Sequence, residues 1–279
     1  MGGMKHVLAA GAAVLLIGAA AESRDASPPA QLTYVDLADL ALAAPVAAHV
    51  RLKRAVALKP AEAGNVRAGW TRFYVEAELV SLLRGAEGLP TEVSYLADLP
   101  NAGAKPAKLA KKSEYILLAQ PVPGRPGELR LVAPDAQLPF TADRANVLRN
   151  ILREAAAPDA APRITGIGRA FHVPGALPGE SETQFFLQTA DGRPVSLSVL
   201  RRPGETPSWS VALSEITDDS AAAPAADSLL WYRLACTLPR TLPAESLSEA
   251  GADEARAIRA DYRLVVEELG RCERNRRTS

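Results

Sequence analysis

The stretch VAAHVRLKRAVAL, residues 46–58, alternates apolar and polar side chains. The apolar residues occupy even positions, first from 46 to 52 and then at 56 and 58. A repeat of two residues is typical of a β-strand with one buried face. Arg54 interrupts the apolar row and predicts a β-bulge, after which Val56 and Leu58 are expected to return to the buried face. His49, at an odd position, is expected to face solvent.

The same period recurs along the next seventy residues or so. In residues 72–79, apolar side chains alternate with Arg, Tyr and Glu, and strands are also predicted at 92–97, 114–120 and 128–132. The gap from Leu99 to Ser113 could hold a short helix at Ala107–Lys112. Five strands with a helix inserted between the third and fourth predict a five-stranded OB-like barrel.

Two of these segments carry motifs of a known family. The sequences EAELVSLLRG at residues 76–85 and SEYILL at residues 113–118 resemble strands of the netrin-like modules of bacterial secreted proteins. The resemblance covers residues 46–133, about a third of the chain, and implies a β-barrel. Animal members that inhibit metalloproteases use an N-terminal Cys and several disulfides, which this sequence lacks. The barrel is therefore what the resemblance implies, and inhibition of a periplasmic enzyme is an alternative function that rests on the resemblance alone.

The remainder of the chain predicts a second β region and a helical end, so the fold class is α+β and mainly β. Thr141 is placed to cap a helix that completes a barrel module at 45–157. An antiparallel β module follows at 163–216, with hairpin turns at Asp191-Gly192 and Pro203-Gly204. Residues 217–227 read as a linker, and residues 228–279 as a C-terminal helical hairpin.

The N-terminus has the layout of a secretory signal peptide. Lys5 precedes an apolar run that ends in Ala19-Ala20-Ala21, and the run is shorter than the ~20 residues of a transmembrane helix. We therefore predict a signal peptide at 1–21, a tether at 22–44 and a mature protein that is periplasmic or secreted, with no transmembrane segment. An uncleaved membrane anchor is the alternative.

Export makes a disulfide between Cys236 and Cys272 possible, because disulfides persist in oxidising compartments. Apolar residues at spacings of three and four predict an amphipathic helix from Ala252 to Cys272. A second short helix is predicted to end near Cys236, with Asp227 or Ser228 as its cap. The two helices would face each other across the bridge; two free buried thiols are the alternative.

Composition and charge exclude several classes of function. The 279 residues carry 32 basic and 32 acidic side chains, so no overall field attracts nucleic acid. Beyond the leader there are two histidines, His49 and His172, and no Cys-x-x-Cys pair, so we predict neither a metal nor a cofactor. The signature of a nucleophile elbow, G-x-S-x-G, is also missing.

The most distinctive loop is predicted to start after His172. Two Pro-Gly-type turns surround Leu177, and stiff loops beside a sheet often recognise a ligand. The possible binding residues are His172, Pro174, Leu177, Glu180 and Ser181. An alternative is a secreted hydrolase in which His172 activates Ser181, with Glu180 or Glu182 orienting the histidine.

The second possible binding region is basic. Four of the seven lysines lie within eight residues, at Lys105, Lys108, Lys111 and Lys112. On a helix, spacings of three would align most of this charge, which could bind an anionic surface; an exposed, solubilising loop is the alternative. Taken together, the sequence predicts a non-catalytic bacterial envelope protein that acts in recognition, assembly or structural support, with an unknown envelope protein or anionic surface as its partner.

Overall fold

The alternating segments form two separate sheets in the computed structural model, which describes residues 1, 31–85, 89–103, 105–213 and 222–276. By its contacts the chain divides into Met1–Gln31 and Leu32–Ser279, and every element below belongs to the second unit. The predicted signal peptide beyond Met1, residues 22–30 of the predicted tether and residues 217–221 of the predicted linker lie outside the described residues.

The first sheet closes into a barrel because its first strand pairs with a neighbour along each edge. The closed order is β1-β2-β3-β5-β4, in which only β3 and β5 run parallel, and a short β6 is added to β4. This confirms the predicted five-stranded OB-like barrel. The strands are β1 Val46–Ala57, β2 Trp70–Arg84, β3 Glu92–Pro100, β4 Glu114–Pro121, β5 Glu128–Leu131 and β6 Gln137–Pro139.

The predicted bulge in β1 is confirmed by a shift of register between Leu52 and Arg54. The expectation that Val56 returns to the buried face is wrong. After the shift Val56 lies opposite Tyr74 on the outside of the barrel, because the extra residue exchanges the two faces of the strand. Ala55, at an odd position, packs against the barrel core instead.

Two helices cover one side of the barrel and bury both faces of β1 and β4 there. Helix α1, Tyr34–Ala43, and helix α3, Ala142–Ala156, enclose an apolar cluster with the outer side chains of these strands. The tether predicted for residues 22–44 is therefore wrong from Tyr34 onwards. A third helix, α2 at Pro60–Ala63, is a single turn in the β1–β2 connection.

His49 is also buried on this side, contrary to the expectation that it faces solvent. Its ring stacks on Phe140 with 3.8 Å between centroids, and its Nε2 lies 3.0 Å from Glu114 Oε2. Strand alternation gives the face on which a side chain lies, but not whether a helix covers that face.

The predicted helix at Ala107–Lys112 is absent from the structure, which has irregular chain and a turn there. The N–H of Lys112 donates to Leu52 O, so this backbone bonds to β1 rather than to a helical turn. Lys112 also adopts a positive φ of 68°, which ends any helix.

The second sheet has the order β10-β9-β8-β7, and every pair is antiparallel. It confirms the predicted second β module, with hairpin connections at Asp191-Gly192 and Pro203-Gly204. Its inner face packs against two helices in one apolar core. The elements are β7 Ile164–Pro174, β8 Ser181–Thr189, β9 Val195–Arg201, β10 Ser208–Ala212, α4 Leu229–Ala235 and α5 Ala252–Leu269, with a 3-10 turn at Ala244–Leu247.

The disulfide between Cys236 and Cys272 is formed, with 5.0 Å between the Cα atoms, and it ties the helical end together as predicted. Ser228 caps α4 by accepting from Trp231 N–H. The prediction that α5 continues to Cys272 is wrong, because Gly270 at φ 74° follows Leu269 and turns the chain out of the helix.

The segment after Cys272 binds the barrel half of the unit. The buried Asp36 of α1 accepts the N–H groups of Asn275 and Arg276. Within the residues that the structure describes, no helix is long and apolar enough to cross a bilayer.

Candidate functional site

An open groove of about 680 Å³ lies on the outer surface of the barrel. β2 and β3 form its floor, and the β4–β5 hairpin and the segment after β5 form its wall. The sequence did not predict it, because its lining comes from four separate stretches of chain. The residues that line it are Arg72, Tyr74, Ser94 to Leu96, Asp98, Val122, Arg125 and Glu128 to Pro134.

The groove exists because β3 and β5 separate. The two strands pair only at Ser94↔Glu128 and Tyr95↔Leu129, although β3 continues to Pro100. Gly127 allows the close approach at the paired end, since its φ is +80° and a Cβ there would meet Glu92 O at 3.1 Å. Beyond this end the strands diverge and leave the groove between them.

An apolar row crosses the barrel surface and enters the groove. Val56, Tyr74 and Leu96 are directly opposite one another on β1, β2 and β3. Their exposed fractions are 37%, 36% and 47%. Three neighbouring large apolar side chains at a groove form a surface that a partner could cover.

Most charges around the groove neutralise each other. Arg72 donates from Nε and Nη2 to the two oxygens of Asp98, at 2.7 Å each, and from Nη1 to Ala63 O. The hydrogen bond with Asp98 raises the pKa of Arg72 despite partial burial. Arg125 pairs with Glu128 at 3.1 Å. A groove with paired charges and an apolar floor suits a ligand of low net charge better than a polyanion.

A second polar cluster lies under the sheet of β7 to β10. Asp261 of α5, 1% exposed, binds Arg201 Nε at 2.6 Å and accepts the Thr183 hydroxyl at 2.5 Å. Because that hydroxyl gives its only proton to Asp261, its oxygen accepts from His172 Nδ1 at 2.8 Å. The arrangement satisfies a buried carboxylate, and Thr183 is itself fully buried.

The structure places the predicted loop residues on the β7–β8 hairpin. His172 lies opposite Thr183, and Ser181 lies opposite Pro174 and Arg201. In the described part of the chain, His172 makes its side-chain hydrogen bond to Thr183 and not to Ser181. The Ser181/His172 pairing required by the hydrolase alternative is therefore not formed.

The tip of this hairpin is stiff and exposed. Gly175 N–H donates to Glu180 O, and the Glu180 carboxylate accepts Leu177 N–H. Leu177 itself is 60% exposed. Pro174 and Leu177 are thus available for contact, but this hairpin is separate from the residues that line the barrel groove.

The four lysines of the β3–β4 connection are all exposed, and no ion pair is formed by any of them within the described residues. Leu109 packs against the barrel core in their midst and holds the connection in place. Lys105, Lys108, Lys111 and Lys112 therefore form an unneutralised basic loop, although not the helical stripe that was predicted.

No group of three or more His, Cys, Asp or Glu side chains that could hold a metal occurs in the part of the chain that the structure describes. No family model matches the chain, and no curated protein is significantly similar to it.

Proposed function

We propose that the chain is an exported, non-catalytic protein of the bacterial envelope that recognises a partner through the groove on its barrel. The observation that carries the proposal is the exposed row of Val56, Tyr74 and Leu96 at the mouth of a groove of about 680 Å³. The outer face of strands 2 and 3 is also where OB-type barrels hold their ligands.

Recognition is favoured over catalysis by the chemistry of the lining. The ionic side chains on either side of the apolar row are held in the pairs Arg72–Asp98 and Arg54–Glu76, and the hydroxyl groups in or beside the row belong to Tyr74 and Ser94. Among the described residues neither hydroxyl has a base as a hydrogen-bond partner, and nucleophilic catalysis needs one.

Export to the periplasm or the exterior is part of the proposal. It is supported by the signal-peptide pattern at 1–21 and by the Cys236–Cys272 bridge, since disulfides persist in oxidising compartments. The same proposal relates the barrel to netrin-like modules, on the motifs at 76–85 and 113–118. Mass spectrometry of the protein from its own cells should find a mature chain without residues 1–21 in the envelope fraction. An intact N-terminus in the cytosol would contradict export.

The groove is tested by photo-crosslinking in cells. A photoreactive amino acid at Leu96 should give a discrete adduct with one partner, and Tyr74→Asp should remove that adduct. The matched control carries the same amino acid at Glu62, an exposed position outside the groove lining. Equal adducts at both positions, or none at Leu96, would contradict recognition at the groove.

The basic loop favours a second contact, with an anionic surface. Unpaired lysines attract anionic groups over about 10 Å at moderate salt, and here Leu109 anchors the connection that bears them. The groove would then select the partner, while Lys105, Lys108, Lys111 and Lys112 hold the protein near an anionic envelope surface.

A further inference from the structure

The groove has a free strand edge where β3 continues beyond Tyr95. β3 pairs with β2 over its whole length, from Glu92 to Pro100, so one of its edges is fully occupied. On its other side, pairing with β5 stops at Tyr95. Since Ser94 N–H points to β5 and backbone direction alternates along a strand, the N–H and C=O of Asp98 also point into the groove.

The opposite wall also presents backbone. Glu128 O accepts from Val122 N–H of the β4–β5 hairpin, so the even residues of β5 face β4. The N–H and C=O of Leu131 consequently face the groove. Within the described residues, β5 has no pairing with β3 beyond Leu129.

From these two edges we infer that the partner recognised in the groove is an extended peptide segment that pairs with β3 as an added strand; this inference rests on the proposed function. A peptide main chain supplies donors and acceptors at the spacing of a strand edge. Its alternate side chains would lie beside Leu96 and Tyr74, which are exposed on that face.

Charge defines the peptide further. Arg72 and Arg125 are paired with carboxylates. Arg130 is exposed in the groove, and its guanidinium donates to the side-chain oxygen of Gln120, which carries no charge. Among the described residues, Arg130 has no carboxylate partner. The peptide should therefore carry one acidic side chain beside its apolar residues, because a carboxylate is the charged complement of a guanidinium that lacks one.

The test begins with a displayed library of random nine-residue peptides, panned against the intact protein. The selected peptide should contain an Asp or Glu, and Leu96→Asp should weaken its binding at least tenfold. Arg130→Gln, an exposed change that leaves the barrel core intact, should abolish the preference for the acidic residue. Glu62→Ala is the control and should bind as the native protein does.

Strand addition is then separated from other modes by N-methylation of the selected peptide, one residue at a time. Methyl groups on alternate residues should weaken binding tenfold or more, while the intervening positions tolerate them, because only every second N–H faces β3. The inference would be overturned if methylation left binding unchanged at every position, or if it weakened binding without an alternating pattern. So would a failure to select any groove-dependent peptide while Leu96 still crosslinks to a partner in cells, and that result would leave the proposed function standing.

Discussion

At the scale of single residues, Asp261 shows how the second module tolerates a buried charge. The carboxylate is enclosed by apolar neighbours, but Arg201 and Thr183 supply its hydrogen bonds. His172 continues the network by binding the Thr183 oxygen. Such clusters contain the same residue types as catalytic centres. Here Arg201 and Thr183 satisfy the buried carboxylate of Asp261, and His172 satisfies the hydroxyl oxygen of Thr183.

Removing the charge of Asp261 tests whether the network stabilises the fold. Asp261→Asn should lower the free energy of unfolding by about 3 kcal/mol, because Arg201 and Thr183 lose the anion that they bind. Urea denaturation measures the change. The control Asp253→Asn alters an exposed residue of the same helix and should stay within about 0.5 kcal/mol of the native protein. Equal losses in both variants would show that the buried network is unimportant.

At the scale of elements, the β3–β4 connection combines a fixed backbone with free charge. Lys112 N–H bonds to β1, and Leu109 packs on the barrel, so the loop cannot collapse onto nearby acids. The exposure of all four lysines favours a contact with another surface over ion pairs within the protein. Their exposure does not depend on a helix.

Replacing Lys105, Lys108, Lys111 and Lys112 by Gln should abolish salt-sensitive binding to vesicles that contain phosphatidylglycerol. Each lysine near an anionic surface contributes about 1 kcal/mol, so co-sedimentation at low salt should fall by more than a hundredfold. A variant with Gln at Arg149, Arg153, Arg259 and Arg263 makes the same change in charge on two helices and should still bind. If both variants bind alike, the loop has no special role.

At the scale of the whole molecule, the C-terminal segment joins the two halves of the unit. The Cys236–Cys272 bridge fixes its start, and Arg274 and Arg276 bind Asp39 and Asp135 of the barrel half. The bridge thus holds this segment to the end of α4, and its ion pairs join the second module to the barrel half in addition to the chain between them.

The bridge itself should stabilise the fold by restricting the unfolded chain. Cys236→Ser with Cys272→Ser should lower the free energy of unfolding by about 4 kcal/mol, given the 36-residue separation. The native protein under reducing conditions should show a similar loss in urea denaturation. Intact mass without reductant provides the check, since two free thiols in the native protein would rule out the bridge.

Acid should weaken the ionic contacts. Hydrogen bonds from Arg276 lower the pKa of Asp135; for Asp39, burial raises the pKa, but hydrogen bonds from Arg274 and Tyr232 outweigh it. Both pKa values lie below the ordinary 3.8, so the stabilisation is present above about pH 4 and is lost as pH falls through the lowered values.

We therefore expect Arg274→Gln with Arg276→Gln to be less stable than the native protein at pH 6, and the difference to shrink below pH 3.8. Urea denaturation across this range measures it. A difference that is independent of pH would mean that the arginines act by packing rather than by charge.

The strands β1 to β5 and β7 to β10 could be predicted from alternation and turn signals, because those signals lie within a few neighbouring residues. The disulfide could be predicted from two cysteines beside helical patterns. Burial of His49 could not, since it depends on Phe140 and on helices distant in sequence. The helix expected at 107–112 failed for a similar reason: its backbone bonds to β1.

Local sequence thus determined the mainly β class, the positions of β1 to β5 and β7 to β10, the cap at Thr141 and the bridged cysteines. Each depends on backbone geometry or on spacing along the chain. Only the tertiary structure decided that β3 and β5 diverge to form the groove, and which arginine there has no carboxylate partner among the described residues. These features arise between segments far apart in sequence, where packing and long-range pairing set the distances.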